Sequence, residues 1–79
     1  MPSVKRATYS GRHKTLRKRL REARKRLGIN QGALADRIGR PQSFVSKVES
    51  GERRLDVIEF IEYALALGLV PAALISDVT

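Results

Sequence analysis

The sequence predicts an all-α fold, a compact bundle of four to five short helices that contains a helix-turn-helix. Three observations support this prediction. Apolar residues recur at helical spacing, glycines separate the apolar runs, and no segment alternates apolar and polar residues as a strand does. A chain of 79 residues without cysteine is expected to form one small domain, with no disulfide or thiolate metal site to support its core.

The chain divides into a basic arm and a helical domain. Residues 1–13 are polar and basic without periodicity, and we expect them to form a flexible arm, while residues 14–79 form the domain. An amphipathic first helix follows the arm, and Gly28 ends it as a C-cap. Its apolar stripe consists of Leu16, Leu20, Ala23 and Leu27.

Capping residues mark the next two helices. Asn30 is a suitable N-cap for the second helix, and Gly39 ends that helix after only about two turns. Pro41 stands at the start of the third segment, where its missing N–H costs nothing, and Gly51 ends the segment. The inner faces carry Leu34, Ala35, Ile38, Phe44, Val45 and Val48.

The last third of the chain carries a second set of signals. Asp56 and Glu59 have the spacing of a capping box, which predicts a fourth helix that runs to about Leu67. Pro71 is expected to open a last short turn. The inward face of the fourth helix is predicted to consist of Val57, Phe60, Ile61, Ala64 and Leu67.

The net charge of +8 is unevenly distributed. Residues 1–27 carry a net charge of +10, residues 28–55 carry +2, and residues 56–79 carry −4. So basic a small domain indicates a polyanionic partner. No segment is apolar enough to span a bilayer, and the first residues lack the apolar region of a signal peptide. We therefore expect a soluble, cytoplasmic protein without a membrane partner.

The segment from Gln31 to Gly51 has the features of a helix-turn-helix. Two short helices that cross steeply need a small residue in the first helix of the motif, which is the second helix of the chain, and Ala35 supplies it. The turn needs a residue that tolerates a positive φ, and Gly39 supplies it. In the second helix of the motif, which is the third helix of the chain, Val45 and Val48 are three residues apart and are expected to point inward.

The opposite face of this third helix of the chain is polar. Ser43, Ser46, Lys47 and Ser50 lie on it, with Gln42 at its leading edge. Gln and Lys can donate hydrogen bonds to base edges in the major groove, and Ser can donate or accept there. For Ser43 and Ser46 a phosphate contact is as reasonable as a base contact, because phosphates take half or more of protein–DNA hydrogen bonds.

Several runs of residues together resemble a known family. They are Leu20-Arg21-Glu22-Ala23-Arg24, Gly28-Ile29-Asn30-Gln31-Gly32-Ala33-Leu34-Ala35, Gly39, Gln42-Ser43-Phe44-Val45-Ser46-Lys47-Val48-Glu49-Ser50-Gly51 and Ala64-Leu65-Ala66-Leu67-Gly68. This combination, over roughly residues 16–75, resembles the XRE family of lambda-repressor-like helix-turn-helix regulators. The resemblance implies five helices, double-stranded DNA as the partner, and the third helix as the reading helix.

The resemblance also implies roles for individual residues. Gln31, at the start of the second helix, would bind a phosphate with help from backbone N–H groups and the helix dipole. Arg24 and Glu49 would form an internal salt bridge between the first and third helices. The residues that would face bases or nearby phosphates are Gln42, Ser43, Ser46 and Lys47. The sequence departs from the family pattern at Arg40 and Pro41, where a small or apolar residue and a capping Ser or Thr are usual.

Three arginines flank the predicted reading helix. Arg40 precedes it, and Arg53 and Arg54 follow it. They are suited to clamping phosphates, although exposed loop charges that contact only water would have the same pattern. The function that this region predicts is sequence-specific binding of double-stranded DNA by a transcriptional regulator, a repressor that reads the major groove with residues 42–50.

Other classes of protein fit the sequence less well. With one histidine, no cysteine and no metal-ligand spacing or phosphate-binding glycine loop, we expect neither catalysis nor a metal or cofactor. The basic first helix resembles a membrane-surface or RNA-binding helix, but it has no aromatic anchor or stacking platform. An antitoxin that binds a toxin partner and its own operator is the alternative that overlaps with DNA binding.

A second apolar stripe lies on the predicted fourth helix and its following turn. Ile58, Leu65 and Leu69 are about 100° from the inward face, so the whole apolar arc is wider than one core contact usually needs. Either the fifth helix or the arm covers this stripe, or a second copy of the chain does. We favour a homodimer, because the acidic last third would face away from DNA.

Overall fold

A computed structural model describes residues 11–79, in which five α-helices account for most of the chain. They are α1 (Gly11–Arg26), α2 (Gln31–Ile38), α3 (Gln42–Ser50), α4 (Val57–Ala66) and α5 (Pro71–Val78). No strand occurs within these residues. The predicted all-α bundle of four to five short helices is therefore confirmed.

The first helix differs from the prediction in where it starts and in the exposure of its last predicted apolar residue. α1 already includes residues 11–13, which the sequence pattern assigns to the arm. None of their side chains is buried, so apolar periodicity gives no sign of this turn. At the other end Leu27, a member of the predicted apolar stripe, is 46% exposed, although its N–H still donates to the Ala23 carbonyl at 3.1 Å. Gly28 ends the helix with φ 72°, as predicted. The remainder of the predicted arm, residues 1–10, lies outside the described residues.

The caps of α2 are those that the sequence predicts. Asn30 is the N-cap, and its side-chain oxygen accepts a hydrogen bond from the Ala33 N–H at 2.8 Å. Gly39 is the C-cap, with φ 76°, and its N–H donates to the carbonyls of Ala35 and Asp36. A left-handed residue at this position lets the chain reverse directly into the next helix, and glycine adopts it without steric strain.

The helix α3 spans Gln42–Ser50, which is the range predicted for the reading helix, and Pro41 precedes its first turn. Pro41 is the N-cap, in an extended conformation with φ −63° and ψ 154°, and Gln42 is the first helical residue. No side chain caps this helix start. Its first-turn N–H groups therefore have no side-chain acceptor from the N-cap residue.

Both remaining helices begin with the predicted signals. The Asp56–Glu59 capping box at the start of α4 is complete, because each side chain accepts from the other residue's backbone N–H. Pro71 occupies the first turn of α5, where its fixed φ suits a helix. Together these two helices close the bundle against α1 and α2.

One hydrophobic core holds the described helices together. Its buried members are Leu20, Ala23, Leu34, Ala35, Phe44, Val45, Val48, Tyr63, Ala64, Leu67 and Leu74. The α3 helix contributes three of these side chains, so the predicted reading helix is anchored through one face. Its opposite face is left on the surface.

The inward face predicted for α4 is partly wrong. Val57 is 72% exposed and Ile61 is 37% exposed, whereas Tyr63 is fully buried. The helix is rotated so that Phe60, Tyr63, Ala64 and Leu67, at helical spacing, face the core. Leu69 also departs from the prediction, because it packs partly against the core instead of extending the exposed stripe.

Within residues 11–79 no single helix is long and apolar enough to cross a membrane. The helices α4 and α5 reach the required length and apolarity only when they are counted together, and they lie at 110° to each other.

Candidate nucleic-acid interface

The helices α2 and α3 and the turn between them occupy the predicted helix-turn-helix segment. Ala35 is almost fully buried on α2, as close packing of two short helices requires. On α3 Phe44, Val45 and Val48 are buried. The α3 helix therefore has one face fixed in the core and one face available for contact with another molecule.

The exposed face of α3 is polar along its whole length. It consists of Gln42, Ser43, Ser46, Lys47 and Ser50, all of which are exposed. At about 100° per residue they lie within an arc of about 140°. The Ser50 hydroxyl donates to the Lys47 carbonyl at 3.1 Å, so it is engaged locally. We call the other four residues, Gln42, Ser43, Ser46 and Lys47, the reading face.

Glu49 belongs to α3 but is directed away from the reading face by an ion pair with α1. Arg24 donates from Nε to Glu49 Oε2 at 2.6 Å and from Nη2 to Glu49 Oε1 at 3.0 Å. The two side chains are only 11% and 6% exposed. The pairing that the family resemblance implies is thus present, and it joins the first and third helices.

The protonation of Glu49 reflects two opposed influences. Burial by itself raises the pKa of this carboxyl, but hydrogen bonds from Arg24 and Gln31 lower it by more than burial raises it. The pKa therefore lies below its usual value. A second Arg24 contact, from Nη1 to the Ile29 carbonyl at 2.9 Å, extends the pair to the turn before α2. One arginine therefore connects α1, this turn and α3.

Gln31 lies at the first position of α2, as expected, and contacts Glu49. Its Nε2 donates to Glu49 Oε1 at 3.0 Å. A carboxamide nitrogen has two N–H donors, so a further hydrogen bond to a phosphate is compatible with this contact. Gln31 borders a shallow polar depression together with Arg21, Ser46, Glu49 and Ser50.

Two of the three flanking arginines are engaged with an acidic residue on α4. Arg53 contacts both oxygens of Glu59, at 2.9 and 2.8 Å, and Arg40 contacts one of them at 3.2 Å. Their guanidinium carbons lie 4.6 and 4.7 Å from the centroid of the Phe44 ring. We call these four residues the Glu59 cluster. Arg54 is exposed in the loop before α4.

The Glu59 carboxylate is held in its charged form. The hydrogen bond from Arg53 is the main cause, assisted by the backbone N–H of Asp56, and together they lower the pKa of Glu59 to about 2. Glu59 is therefore an anion at every pH at which the protein would meet DNA.

Two residues near the interface were missed in the sequence. Arg17 reaches across from α1, with its Nη1 3.5 Å from the Glu49 carbonyl, and a Cβ added at Gly51 would lie 2.6 Å from that nitrogen. The spacing of Arg17, Leu20 and Arg24 along one helix face could have indicated its inward direction. Glu59 was identified only as a capping residue, since its arginine partners lie outside α4, six and 19 residues earlier in the chain.

No metal-ligand cluster accompanies this surface. Among residues 11–79 no group of three or more His, Cys, Asp or Glu side chains is arranged to hold a metal ion.

A helix-turn-helix that is anchored through one face of its second helix, with Gln, Ser and Lys on the other, defines a DNA-binding class of protein. The helix-turn-helix family profile matches residues 20–75. The chain belongs to the XRE family of helix-turn-helix transcriptional regulators.

Solved structures that are similar to this chain include the following two. An XRE-family like protein from Pseudomonas syringae pv. tomato str. DC3000 is 48% identical, with a TM-score of 0.86 over 95% of this chain and 92% of that one. The restriction-modification controller protein C.AhdI from Aeromonas hydrophila is 34% identical, with a TM-score of 0.72 over 78% of this chain and 94% of that one. Comparison with curated protein sequences gives no match.

Proposed function

We propose that this regulator binds double-stranded DNA in a sequence-specific manner and acts as a repressor, with α3 in the major groove. The observation that carries the proposal is the reading face, a continuous polar surface on a helix whose other side is core. Occupying an operator is sufficient for repression, whereas activation requires a further contact with the transcription machinery. A target on chromosomal or plasmid DNA would place the protein in the cytoplasm.

The reading face offers distinct chemistry at each end. Gln42, at the start of α3, can form two hydrogen bonds with adenine, because its side-chain amide has both a donor and an acceptor. Lys47, about one turn further on, can donate to guanine. Ser43 and Ser46 lie between them and can reach either a base edge or a phosphate. Gln31 and the N-terminus of α2 would hold a phosphate beside the groove.

Selection of bound duplexes from a random pool tests the proposal. We expect the chain to enrich one short sequence, with a binding constant for that duplex well above the constant for random DNA of equal length. Enrichment of no sequence, together with equal affinity for all duplexes, would contradict sequence-specific binding. Placing the selected site over a promoter and measuring transcript with and without the protein then tests repression.

We further propose that the regulator acts as a twofold homodimer. Ile58, Ile61 and Leu65 follow each other at helical spacing on α4, and the first and last are 65% and 61% exposed. An apolar stripe of this kind is unfavourable in water and would be covered by the same stripe of a second copy. Two reading helices would then meet half-sites about one helical turn apart.

An antitoxin that also binds its own operator is the second candidate function. It uses the same exposed stripe, which would be covered by a toxin instead of a second copy. Sedimentation of the purified chain separates the two candidates. A dimer at micromolar concentration supports the homodimer, and a monomer that dimerises neither alone nor on DNA supports a different protein partner.

A further inference from the structure

We propose that Glu59 is a specificity-determining positioning residue, which holds Arg40 and Arg53 in the protein and so withholds them from the DNA phosphates. The proposal rests on the DNA binding proposed above. It assigns to an acidic side chain on α4 an effect on how strongly the chain binds DNA of any sequence.

The two arginines occupy positions from which phosphates are accessible. Arg40 precedes α3 by two residues, and Arg53 follows its last residue by three. Each side chain is still 38% exposed. Arginine binds phosphate through charge-assisted, often bidentate hydrogen bonds. Arg40 and Arg53 flank the reading helix in sequence, and their guanidinium groups meet at Glu59 and the Phe44 ring. Two such groups beside a reading helix would ordinarily add strong, sequence-independent affinity.

Glu59 already supplies the two arginines with the anionic hydrogen-bond acceptor that a phosphate would offer. Its carboxylate accepts two hydrogen bonds from Arg53 and one from Arg40, and its own side chain is only 11% exposed. Arg53 Nη1 also donates to the Arg54 carbonyl at 2.9 Å. A phosphate would therefore have to replace hydrogen bonds to an anion that is shielded from water.

The Phe44 ring makes the exchange less favourable still. Both guanidinium groups lie within 5 Å of its centroid, at a distance typical of cation–π contact. Phe44 is 6% exposed and belongs to α3. Swinging either arginine towards DNA would uncover this ring, and the reading helix would lose a contact that fixes its flank.

The expected consequence is a higher ratio of specific to random binding. Phosphate contacts strengthen binding to every sequence, whereas contacts of the reading face distinguish one sequence from another. With two cations retained by Glu59, a larger share of the affinity comes from the reading face.

The test compares Glu59→Gln with the wild type. Glutamine retains a side-chain carbonyl for the Asp56 N–H, so the capping box can persist, but it loses the charge that holds the arginines. Asp77→Asn is the matched control, because it removes the same charge from an exposed position on α5. The measurement is the binding constant for the selected duplex and for random duplex over a range of salt concentrations.

We expect Glu59→Gln to bind random duplex more tightly at low salt and to lose affinity more steeply as salt rises. Each added phosphate contact contributes about −0.9 to the slope of log K against log[salt]. Two contacts would cost the variant about tenfold more affinity than the wild type loses for a fourfold rise in salt. The ratio of specific to random binding should fall, and Asp77→Asn should leave the slope unchanged.

Arg53→Gln in the wild-type background provides an independent test that does not need the Glu59 variant to fold. If Glu59 withholds this arginine, the salt slope stays at the wild-type value. A slope flatter by about 0.9 would show a phosphate contact in the wild type and would overturn the proposal, as would an unchanged slope in folded Glu59→Gln. Equal wild-type affinity for selected and random duplexes would instead contradict the proposed function.

Discussion

At the scale of single residues, Glu49 shows how a charge on the reading helix is kept from the DNA. Its carboxylate would repel phosphates if it faced the groove. Both of its oxygens accept from Arg24, and Gln31 adds a third hydrogen bond. Since both members of the ion pair are largely buried, removal of either one leaves the other without a countercharge.

We expect Glu49→Ala to lower the free energy of unfolding by about 3–5 kcal/mol, because it leaves the Arg24 guanidinium buried and unpaired. Urea denaturation followed by circular dichroism measures the change. Gln31→Ala is the control, since it removes only a neutral donor from the same carboxylate and should cost about 1 kcal/mol. A loss for Glu49→Ala no greater than that of the control would contradict the expectation.

Tyr63 presents the opposite case of a buried polar group without a bond. Its side chain is fully buried, and among the described residues its hydroxyl has no hydrogen-bond partner. Burial and the nearby Glu49 charge raise the pKa of this phenol above its usual value. We expect Tyr63→Phe to leave the melting temperature unchanged or to raise it, because the ring packing is retained and an unpaired hydroxyl is removed.

Thermal unfolding of the Tyr63→Phe variant at neutral pH gives the answer. A fall that corresponds to more than about 1 kcal/mol would mean that the hydroxyl is hydrogen-bonded in solution.

The residue contacts could be predicted from the sequence only where a familiar pattern contains both partners. Arg24 and Glu49 were paired through the family resemblance. The Glu59 cluster was not found, because Arg40 is 19 residues away from Glu59 and the contact depends on how α4 packs in the bundle. Until that packing is known, arginines that flank a helix are equally well interpreted as phosphate ligands.

At the scale of elements, α3 divides its residues between the core and the reading face. We expect Gln42→Ala and Lys47→Ala each to cost about 1–3 kcal/mol on the selected duplex, because each removes a donor aimed at a base edge. On random duplex the loss should be small. Fluorescence anisotropy with the two duplexes at one salt concentration provides the comparison.

Equal losses on both duplexes would contradict this expectation. They would mean that the two residues contact only the DNA backbone and that bases are read by another part of the surface.

The start of α4 should respond to acid. Because the pKa of Glu59 in the folded protein is about 2, below its ordinary value near 4.5, the charged form stabilises the fold. That contribution is present above about pH 5 and is lost as the pH falls towards 2. We expect the difference in unfolding free energy between the wild type and Glu59→Gln to shrink over this range.

Urea denaturation of both proteins at pH 7, 5 and 3 measures the difference. A difference that is constant over all three would indicate that Glu59 acts through shape and not through its charge.

The boundaries of the elements were more predictable than their rotation. Asn30, Gly39 and Asp56 specify helix ends through local hydrogen bonds and backbone conformation, and each acts as predicted. The rotation of α4 about its own axis depends on which of its two apolar stripes faces the core. The core accepts Tyr63 instead of Ile61, and local sequence carries no information about which side chain fits the space left by the other helices.

At the scale of the whole molecule, the reading face and the exposed stripe belong to different helices. We expect Leu65→Glu to convert a dimer into a monomer, because the charge would be placed in the apolar contact between two copies. Sedimentation velocity measures the state, and binding to one or two half-sites measures the effect on DNA. The half-site affinity of the variant should be unchanged.

Ile75→Glu is the matched control for this experiment. Ile75 is also exposed, at 56%, but it lines an apolar cavity with Leu16 and Val57 and does not belong to the stripe. If Leu65→Glu and wild type sediment alike and both bind paired half-sites cooperatively, the stripe is not the dimer contact.

The two-sided construction of α3 also bears on how such a regulator can change during evolution. Its core side chains, Phe44, Val45 and Val48, are separate from the exposed positions of the reading face. A duplicated gene could therefore exchange Gln42, Ser43, Ser46 and Lys47 and acquire a new operator while its scaffold stays intact. New target sequences would be reached by substitutions that selection for folding does not oppose, and related regulators in one cell could diverge until they no longer compete for each other's sites.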